Sequence, residues 1–380
     1  MKSNTIYLNI LALGLLLAFS HSINVSQVPV IRNIIKAFLD KPSKQLFKVY
    51  HTIFGKEYDY NTEEGIQRYI TFKKNLDYIK KSNSENKSFK LGVNQFTDLT
   101  NEEFRKLVLH RKIIQGEELE KLISEIDYDF STESADTKPK TFNLDDYNED
   151  RRVLRNLVSG LGDNIDWSSQ YGPIRDQANC GSCWAFTAAA VVEGCLAIKN
   201  GSITERLSEQ QLVDCSKQDS GCDGGLFPTA LKYIKRKGLM LESDYPYKAK
   251  DQKCKYVKAK ANAKITGMAW CSNYVRNKKK KCTPEKAYAI LKDGPPEVGI
   301  DGGTNNFQSY ESGILDDNQC SEDNHAVTIV GYSNLTEGEY WTIRNQWGVS
   351  WGEAGYARIK RNDSNHHSCY VNNEVYRAKC

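Results

Sequence analysis

The chain has 380 residues, with 52 basic and 48 acidic side chains, so its formal net charge at pH 7 is +4. This balance excludes the strong basic excess of typical nucleic-acid-binding chains, and no nucleic acid partner is expected. The length suffices for two or three domains with a substantial core. All 11 cysteines lie at or beyond Cys180, so a cysteine-free first half precedes a cysteine-rich second half.

Residues 1–22 have the succession of basic, apolar and small residues that is typical of a secretory signal peptide. Lys2 precedes an apolar stretch over residues 6–19, and Ala18-Phe19-Ser20 is a suitable small-residue cleavage site. At this length a signal peptide is favoured over a membrane anchor, and no later segment is apolar for long enough to span a bilayer. We therefore expect the secretory pathway, with a lysosomal, vacuolar or extracellular destination. An odd number of cysteines in such a chain suggests disulfides plus one free thiol.

Residues 23–105 are predicted to form a separate, removable unit. Polar and apolar residues recur at steps of four and three and so share one side of a helix: Glu64, Arg68, Phe72, Asn75, Ile79 and Asn83. By itself this spacing is typical of an ordinary amphipathic helix. Thr100 and Glu103 then form a predicted capping box that opens another helix.

Residues 106–160 are predicted to be an acidic linker and activation region. Residues 117–150 hold 12 acidic and three basic side chains, a composition that buries little and predicts an extended or mobile segment. The basic cluster Arg151, Arg152 and Arg155 follows directly. A cleavage zone for activation is favoured there over an ordinary solvated surface.

The most informative stretch is CGSCWAF, residues 180–186, with Gln177 just before it. A nearly continuous apolar run reaches Leu196, and Asn200-Gly201 predicts the end of a buried helix. A thiol at a helix N-terminus lies beside unpaired N–H groups and the positive end of the dipole, which favour the thiolate. The CxxC spacing also allows a redox pair or half a zinc site. However, the chain offers no βαβ context and no second CxxC, so neither metal nor cofactor is expected.

The later part of the chain turns β-rich. Short apolar runs at residues 326–330, 340–344 and 356–359 are separated by glycines and predict strands. His325 stands directly before the first run and Asn345 directly after the second. The other histidines of this half, His366 and His367, follow a polar stretch that is typical of an exposed loop. Ser208 and Gln211 predict a second capping box.

These motifs together resemble the papain family of cysteine proteases, in its cathepsin L-like branch, over about residues 45–105 and 163–375. The resemblance implies an α+β fold: a peptidase domain over residues 161–380, with a helical lobe at about 165–265 and an antiparallel barrel-like lobe at about 266–375. It also implies an α-helical inhibitory propeptide over residues 23–105 and an active site between the lobes. Expected partners are protein and peptide substrates, the chain's own propeptide as an intramolecular inhibitor, and cystatin-type inhibitors. A monomer and activation at acidic pH are expected.

The resemblance also assigns catalytic roles. Cys183 is expected to attack the scissile carbonyl as a thiolate paired with protonated His325, which later gives its proton to the leaving amine. Asn345 is expected to orient the imidazole, with Trp347 screening that hydrogen bond from water. The Gln177 side chain and the Cys183 N–H would form the oxyanion hole. There are two alternatives to a working protease. One is a catalytically weak homologue used for binding, and the other is a propeptide that inhibits in trans.

The expected specificity pocket, S2, departs from the family pattern. Glu374 falls at its floor, where many relatives have Ala or Ser, and Asp323 falls at a wall position that is usually apolar. We expect a dual preference for hydrophobic residues and arginine at P2; if Glu374 turns to solvent, only the hydrophobic preference remains. Two other departures, Ala178 for Gly and Gln346 for Ser, are expected to affect the primed side. The remaining substrate-binding positions are Gly224, Gly225, Leu226, Phe227, Gly299, Asn324 and Ala326.

The resemblance implies three disulfides: Cys180–Cys222, Cys215–Cys254 and Cys320–Cys369. Cys271 and Cys282 are a reasonable fourth pair, while nothing argues for joining Cys195 to Cys380. Residues 271–282 form an insertion with five cations. A solvated excursion is favoured there over a site for acidic partners or polyanions.

Overall fold

The computed structural model describes residues 23, 25–128, 164–335, 338–361, 369, 371 and 373–380. The predicted signal peptide and the basic cluster at Arg151, Arg152 and Arg155 lie outside these residues. The first part contains α1 (Val28–Phe38), α2 (Ser43–Ile53), α3 (Glu63–Ser84), β1 (Phe89–Leu91), α4 (Asn101–Val108) and α5 (Gly116–Tyr128). Among the described helices, none combines the length and apolar character needed to cross a membrane.

The helix predicted from the four- and three-residue spacing is confirmed as α3. Its apolar side packs with α1 and α2 in a small core around Leu46, Tyr50 and Phe72. Its polar members fix the chain that follows: the Asn75 amide donates to the carbonyls of Thr97 and Leu99, both at 2.8 Å. The spacing therefore serves both a core and a set of backbone contacts.

The two predicted capping boxes have different outcomes. Thr100 and Glu103 form both reciprocal hydrogen bonds at the start of α4, which confirms the first. At the second, Ser208 caps the Gln211 N–H, but the prediction of a reciprocal bond is wrong. The Gln211 amide instead binds the carbonyl of Gly238 and the N–H of Met240, because the Ser208 N–H is already bonded to the carbonyl of Met240.

The start of the acidic segment is helical, which corrects the expectation of an extended chain. In α5 the side chains of Leu119, Leu122 and Ile123 are buried against the peptidase part. They stand at a spacing of three and four residues, so they form one apolar stripe. The composition of the whole segment did not reveal this stripe, because acidic residues outnumber the apolar ones that form it.

The peptidase part begins with β2 (Asn164–Asp166) and a helical lobe. This lobe contains α6 (Cys183–Asn200), α7 (Glu209–Cys215) and α8 (Phe227–Lys237). The predicted buried helix is confirmed as α6, whose first twelve residues are all buried. It ends, as expected, at Gly201, which takes the left-handed conformation with φ of 69°.

The second lobe is built on a sheet. Its elements are β3 (Gly267–Ser272), α9 (Pro284–Lys292), β4 (Glu297–Ile300), α10 (Asn305–Gln308), β5 (Tyr310–Leu315), β6 (His325–Leu335), β7 (Gly338–Arg344), β8 (Tyr356–Lys360) and β9 (Glu374–Lys379). The strand order is β1-β5-β8-β7-β6-β4-β9-β3, with β2 also paired to β6. The three predicted apolar runs lie in β6, β7 and β8. The propeptide strand β1 pairs with β5, so the first part of the chain extends this sheet.

Ten cysteines are joined in five disulfides. Four pairs match those expected: Cys180–Cys222, Cys215–Cys254, Cys271–Cys282 and Cys320–Cys369. The fifth joins Cys195 in α6 to Cys380, the residue that follows β9. Cys183 is the free thiol.

Candidate active site

The free thiol lies at the first residue of α6. The preceding residues are fixed by the Cys180–Cys222 disulfide and by a hydrogen bond of 2.9 Å from the Gly181 N–H to the carbonyl of Cys222. The Ser182 hydroxyl meets the Tyr247 hydroxyl at 2.6 Å. The thiol is therefore presented by a rigid turn at the N-terminal end of a helix, as the sequence predicts.

A histidine and an asparagine converge from the second lobe. His325 begins β6 and Asn345 directly follows β7, and the pairing of these strands brings the two side chains together. The Asn345 Oδ1 lies 2.9 Å from the His325 Nε2. This contact identifies Nε2 as the protonated nitrogen, since Oδ1 can only accept. The His325 Nδ1 is buried and makes no hydrogen bond with any described residue, so it is available to accept a proton.

The hydrogen bond between His325 and Asn345 is shielded by aromatic packing. The Trp347 ring stacks on the imidazole, with centroids 4.6 Å apart and planes at 27°. The propeptide rings of Phe96 and Phe104 also pack edge-on against Trp347. His325, Asn345 and Trp347 have no exposed surface in this arrangement.

Gln346 lies against His325 and the residue that follows it. Its amide donates to the carbonyl of Ala326 at 2.8 Å and lies 3.5 Å from the His325 Nε2. The expectation that this departure affects the primed side of the cleft stays a prediction. The buried amide contacts the strand that begins with His325.

The covered site favours uncharged side chains. Burial raises the pKa of the Cys183 thiol to about 11, although the backbone N–H of Ala326 opposes this shift. Burial lowers the pKa of His325 to about 4, although its hydrogen bond to Asn345 opposes that shift. The expected thiolate–imidazolium pair is therefore disfavoured while the propeptide covers the site.

The predicted oxyanion donor is occupied by the propeptide. The Gln177 amide donates to the carbonyl of Val108 at 3.1 Å and to that of Cys180 at 2.9 Å. Val108 is the last residue of α4. A propeptide carbonyl thus takes the position where a substrate carbonyl is expected.

Three residues farther along, the propeptide inserts Arg111 into an acidic pocket. The guanidinium forms ion pairs with Asp323 and Glu374, and its Nε lies 3.5 Å from an oxygen of Glu297. The side chain of Arg111 is only 4% exposed. Tyr274 donates to Asp323 at 3.1 Å, and Tyr376 donates to Glu374 at 2.8 Å. Glu374 is buried rather than turned to solvent.

The third carboxylate of this pocket was missed from the sequence. Glu297 has no exposed surface and lies in β4 beside β9, which carries Glu374. The available signal was a single acidic residue at the start of an otherwise apolar strand. Burial raises the pKa of Glu297 to about 8 and that of Asp323 to about 6, although Arg111 opposes both shifts.

A glycine makes room for the arginine. A Cβ placed on Gly299 would lie 2.2 Å from an oxygen of Asp323 and 2.5 Å from a guanidinium nitrogen of Arg111. Larger residues at this position would therefore block the contact between the two charges. The pocket is deep because Gly299 has no side chain, and it is acidic because β4 and β9 place Glu297 and Glu374 in it.

The other predicted binding residues flank the propeptide. The Arg111 N–H donates to the carbonyl of Asn324 at 3.1 Å, and the Lys112 N–H donates to that of Gly225 at 3.2 Å. A Cβ on Gly224 would lie 1.9 Å from the carbonyl oxygen of His110. The remaining predicted residues line or support the same region: half-buried Leu226, Phe227 in the core against Tyr376, and buried Ala326.

Sequence comparisons assign the family. Residues 161–379 match the papain family of cysteine proteases, and residues 47–104 match the cathepsin propeptide inhibitor domain. The chain therefore belongs to the papain family and carries the inhibitor domain together with the protease domain.

Relatives and solved structures agree with this assignment. The chain is 38% identical to the senescence-specific cysteine protease SAG12 of Arabidopsis thaliana, over 79% of this chain and 80% of that protein. It is 35% identical to chymopapain of Carica papaya, over 84% of this chain and 82% of the relative. The proform of the ragweed pollen cysteine protease Amb a 11 superposes with a TM-score of 0.70 and 29% identity, covering 90% of this chain and 95% of that one.

Proposed function

We propose that this cysteine protease is an endopeptidase in which Cys183, His325, Asn345 and Gln177 carry the reaction. The observation that supports this most strongly is the arrangement around His325. Asn345 holds one ring nitrogen, and the other is left without a partner among the described residues. A non-catalytic binding role gains no support from a site in which every expected group is present.

The chemistry follows from this arrangement. After the propeptide leaves, solvent reaches the site and relieves the burial that disfavours charge, so the proton of Cys183 can pass to the His325 Nδ1. The thiolate attacks the scissile carbonyl, and the resulting oxyanion takes the Gln177 amide that Val108 occupies in the proform. His325 then protonates the leaving amine, leaving an acyl-enzyme, and finally takes a proton from the water that hydrolyses the thioester.

We further propose that the acidic pocket accepts arginine at P2 as well as hydrophobic residues. Arg111 supports this because a guanidinium is already bound there by Asp323 and Glu374. The apolar wall at Phe227 and Tyr376 supports the hydrophobic preference. Such a carboxylate pocket needs a cation to offset the cost of burial.

A P2 library tests this specificity on the activated enzyme. The expected result is faster cleavage of substrates with P2 arginine than with P2 glutamine, together with good cleavage at P2 leucine. Glu374→Ala is expected to remove the arginine preference and to retain cleavage at P2 leucine. Equal rates for arginine and glutamine in the wild type would contradict the proposal.

Activation at acidic pH is supported by the carboxylates that hold the propeptide. Asp98 accepts hydrogen bonds from Tyr50 at 2.7 Å and Tyr58 at 2.8 Å, and it pairs with Lys56 at 2.9 Å. Burial opposes the shift, but hydrogen bonds from Thr100 and the charge of Arg68 lower the pKa of Glu103 at the start of α4. The stability that this carboxylate gives the propeptide fold is therefore lost as pH falls.

The proposed compartment is the secretory pathway, ending in a lysosome, a vacuole or the extracellular space. The five disulfides support it, because such bonds persist in oxidising compartments. A monomeric enzyme and inhibition by cystatin-type proteins complete the proposal.

A further inference from the structure

The helix α5 covers a surface that the catalytic chemistry does not use. It begins at Gly116, beyond the inhibitor domain that matches residues 47–104. The surface beneath it consists of α8 and the insertion Cys271–Cys282, and we call it the α5 face. The contact is therefore made by a part of the chain outside the matched inhibitor domain.

The α5 face is apolar at its centre. Leu119, Leu122 and Ile123 are 1%, 9% and 3% exposed and face one side of α5. They belong to one apolar cluster with residues of α8 and of the insertion: Phe227, Leu231, Ile234 and Val275. When the propeptide departs, this cluster loses three of its members and opens to solvent. A contiguous apolar patch of this kind marks an interaction site.

The insertion supplies a polar edge that recognises a carboxylate. The backbone N–H groups of Arg276 and Asn277 both donate to the Glu120 Oε1, at 2.8 and 3.0 Å. Successive backbone N–H groups pointing at one anion form a concave anion site. The Arg276 side chain also pairs with Glu117, and the Gly116 N–H donates to the carbonyl of Tyr274 at 2.8 Å.

The location of the α5 face relates it to the substrate path. The propeptide runs from Val108, whose carbonyl accepts from Gln177, through Arg111 in the acidic pocket to Gly116 at the start of α5. A P2 side chain lies on the N-terminal side of the scissile bond. The α5 face therefore lies beyond S2, where the N-terminal part of a long substrate would pass.

We propose that the α5 face is an exosite of the mature enzyme for acidic amphipathic helices in protein partners. The ligand class is a helix with carboxylates in its first two turns and apolar residues at three- and four-residue spacing, as in α5 itself. The proposal rests on the proposed function, since it gives the protease a second contact with its protein substrates or inhibitors. It also assigns a role to the cationic insertion.

The test uses a fluorescent peptide of residues 113–128 as the probe. This peptide lacks Arg111 and so leaves the acidic pocket free. It is added to the full-length chain after acid activation, and binding is followed by fluorescence anisotropy. We expect saturable binding that weakens about tenfold with Glu120→Gln, because a charge-assisted contact is lost. Replacing Leu119→Asp and Leu122→Asp together should abolish it.

A variant of the enzyme provides the matched control. Arg276→Glu should weaken binding of the wild-type peptide and leave hydrolysis of a short P2-leucine substrate unchanged, which shows that the enzyme is folded. Binding no tighter than that of a scrambled peptide would overturn the exosite, as would equal affinity for all the peptides. Because anisotropy requires no turnover, an inactive preparation that binds the peptide would overturn the proposed function alone.

Discussion

Arg111 anchors the propeptide in the acidic pocket through ion pairs with buried carboxylates. We predict that Arg111→Ala increases the fraction of time for which the uncleaved proform is open. The substitution leaves Asp323, Glu374 and Glu297 buried without their cation, and breaking a buried ion pair in this way costs about 3–5 kcal/mol. Glu297, with its pKa raised to about 8, can take a proton to reduce the cost. The closed form of the variant is therefore less stable than that of the wild type by about 3 kcal/mol. This raises the equilibrium constant for opening about 100-fold.

Labelling of Cys183 by an epoxide inhibitor of papain-like enzymes measures this opening. The proform is kept at pH 7.5 to prevent processing, and the labelling rate is read by intact mass. We expect the Arg111→Ala proform to be labelled about 100-fold faster than the wild type. The matched control is Lys112→Ala, which removes the neighbouring exposed cation and should change the rate less than about threefold. Equal labelling rates for the two variants would refute the role of the acidic pocket.

Further predictions concern single residues of the site. Burial raises the pKa of Glu297 to about 8 in the closed proform, so the closed form binds this proton more tightly than the open form does. Closure is therefore weakened as pH rises towards 8, and wild-type proform labelling should become faster from pH 7 to 8 and then level off. The Glu297→Gln proform should show a flat profile, and a matching slope in both would contradict this assignment. Gln177→Ala should lower kcat by about 100- to 1000-fold in steady-state assays with little change in KM, whereas an unchanged kcat would exclude it from the oxyanion hole. Ala178 has a φ of 50°, so Ala178→Gly should stabilise the fold by about 1 kcal/mol and raise Tm by about 2–4 °C in calorimetry; a lower Tm would show that its backbone is unstrained.

Local sequence signals predicted the parts of the fold with strong patterns. The apolar run after Cys183 predicted α6, and the short apolar runs before Asn345 predicted the strands that bring it to His325. Motifs of this kind are contiguous, so a single sequence is enough to recognise them. The resemblance also gave three disulfides, because each of those cysteines lies in a recognisable local context. The fourth pair followed from the nearness of Cys271 and Cys282 in the sequence.

The acidic pocket shows where such reasoning stopped. Glu374 and Asp323 were predicted because the family pattern marks their positions. Glu297 was missed because its role depends on the pairing of β4 with β9, a long-range contact with no local signal. Arg111 was missed for the same reason: only the path of the propeptide through the cleft places it beside the three carboxylates.

The α5 helix and the fifth disulfide were also beyond local patterns. The helix was hidden by its acidic composition, although its apolar residues already had helical spacing. Cys195 and Cys380 are separated by 185 residues, and their proximity follows only from the contact of α6 with β9. Physical proximity across such distances is set by the assembled core rather than by neighbouring residues.

The most direct test of the central claim is active-site titration after incubation at pH about 4.5. Wild type and Cys183→Ala are treated with the epoxide inhibitor and compared by intact mass. Stoichiometric labelling of a shortened wild-type chain, with neither labelling nor shortening in the variant, is the predicted result for a self-activating protease. A shortened wild-type chain that takes no label would contradict the assignment of Cys183 as the nucleophile.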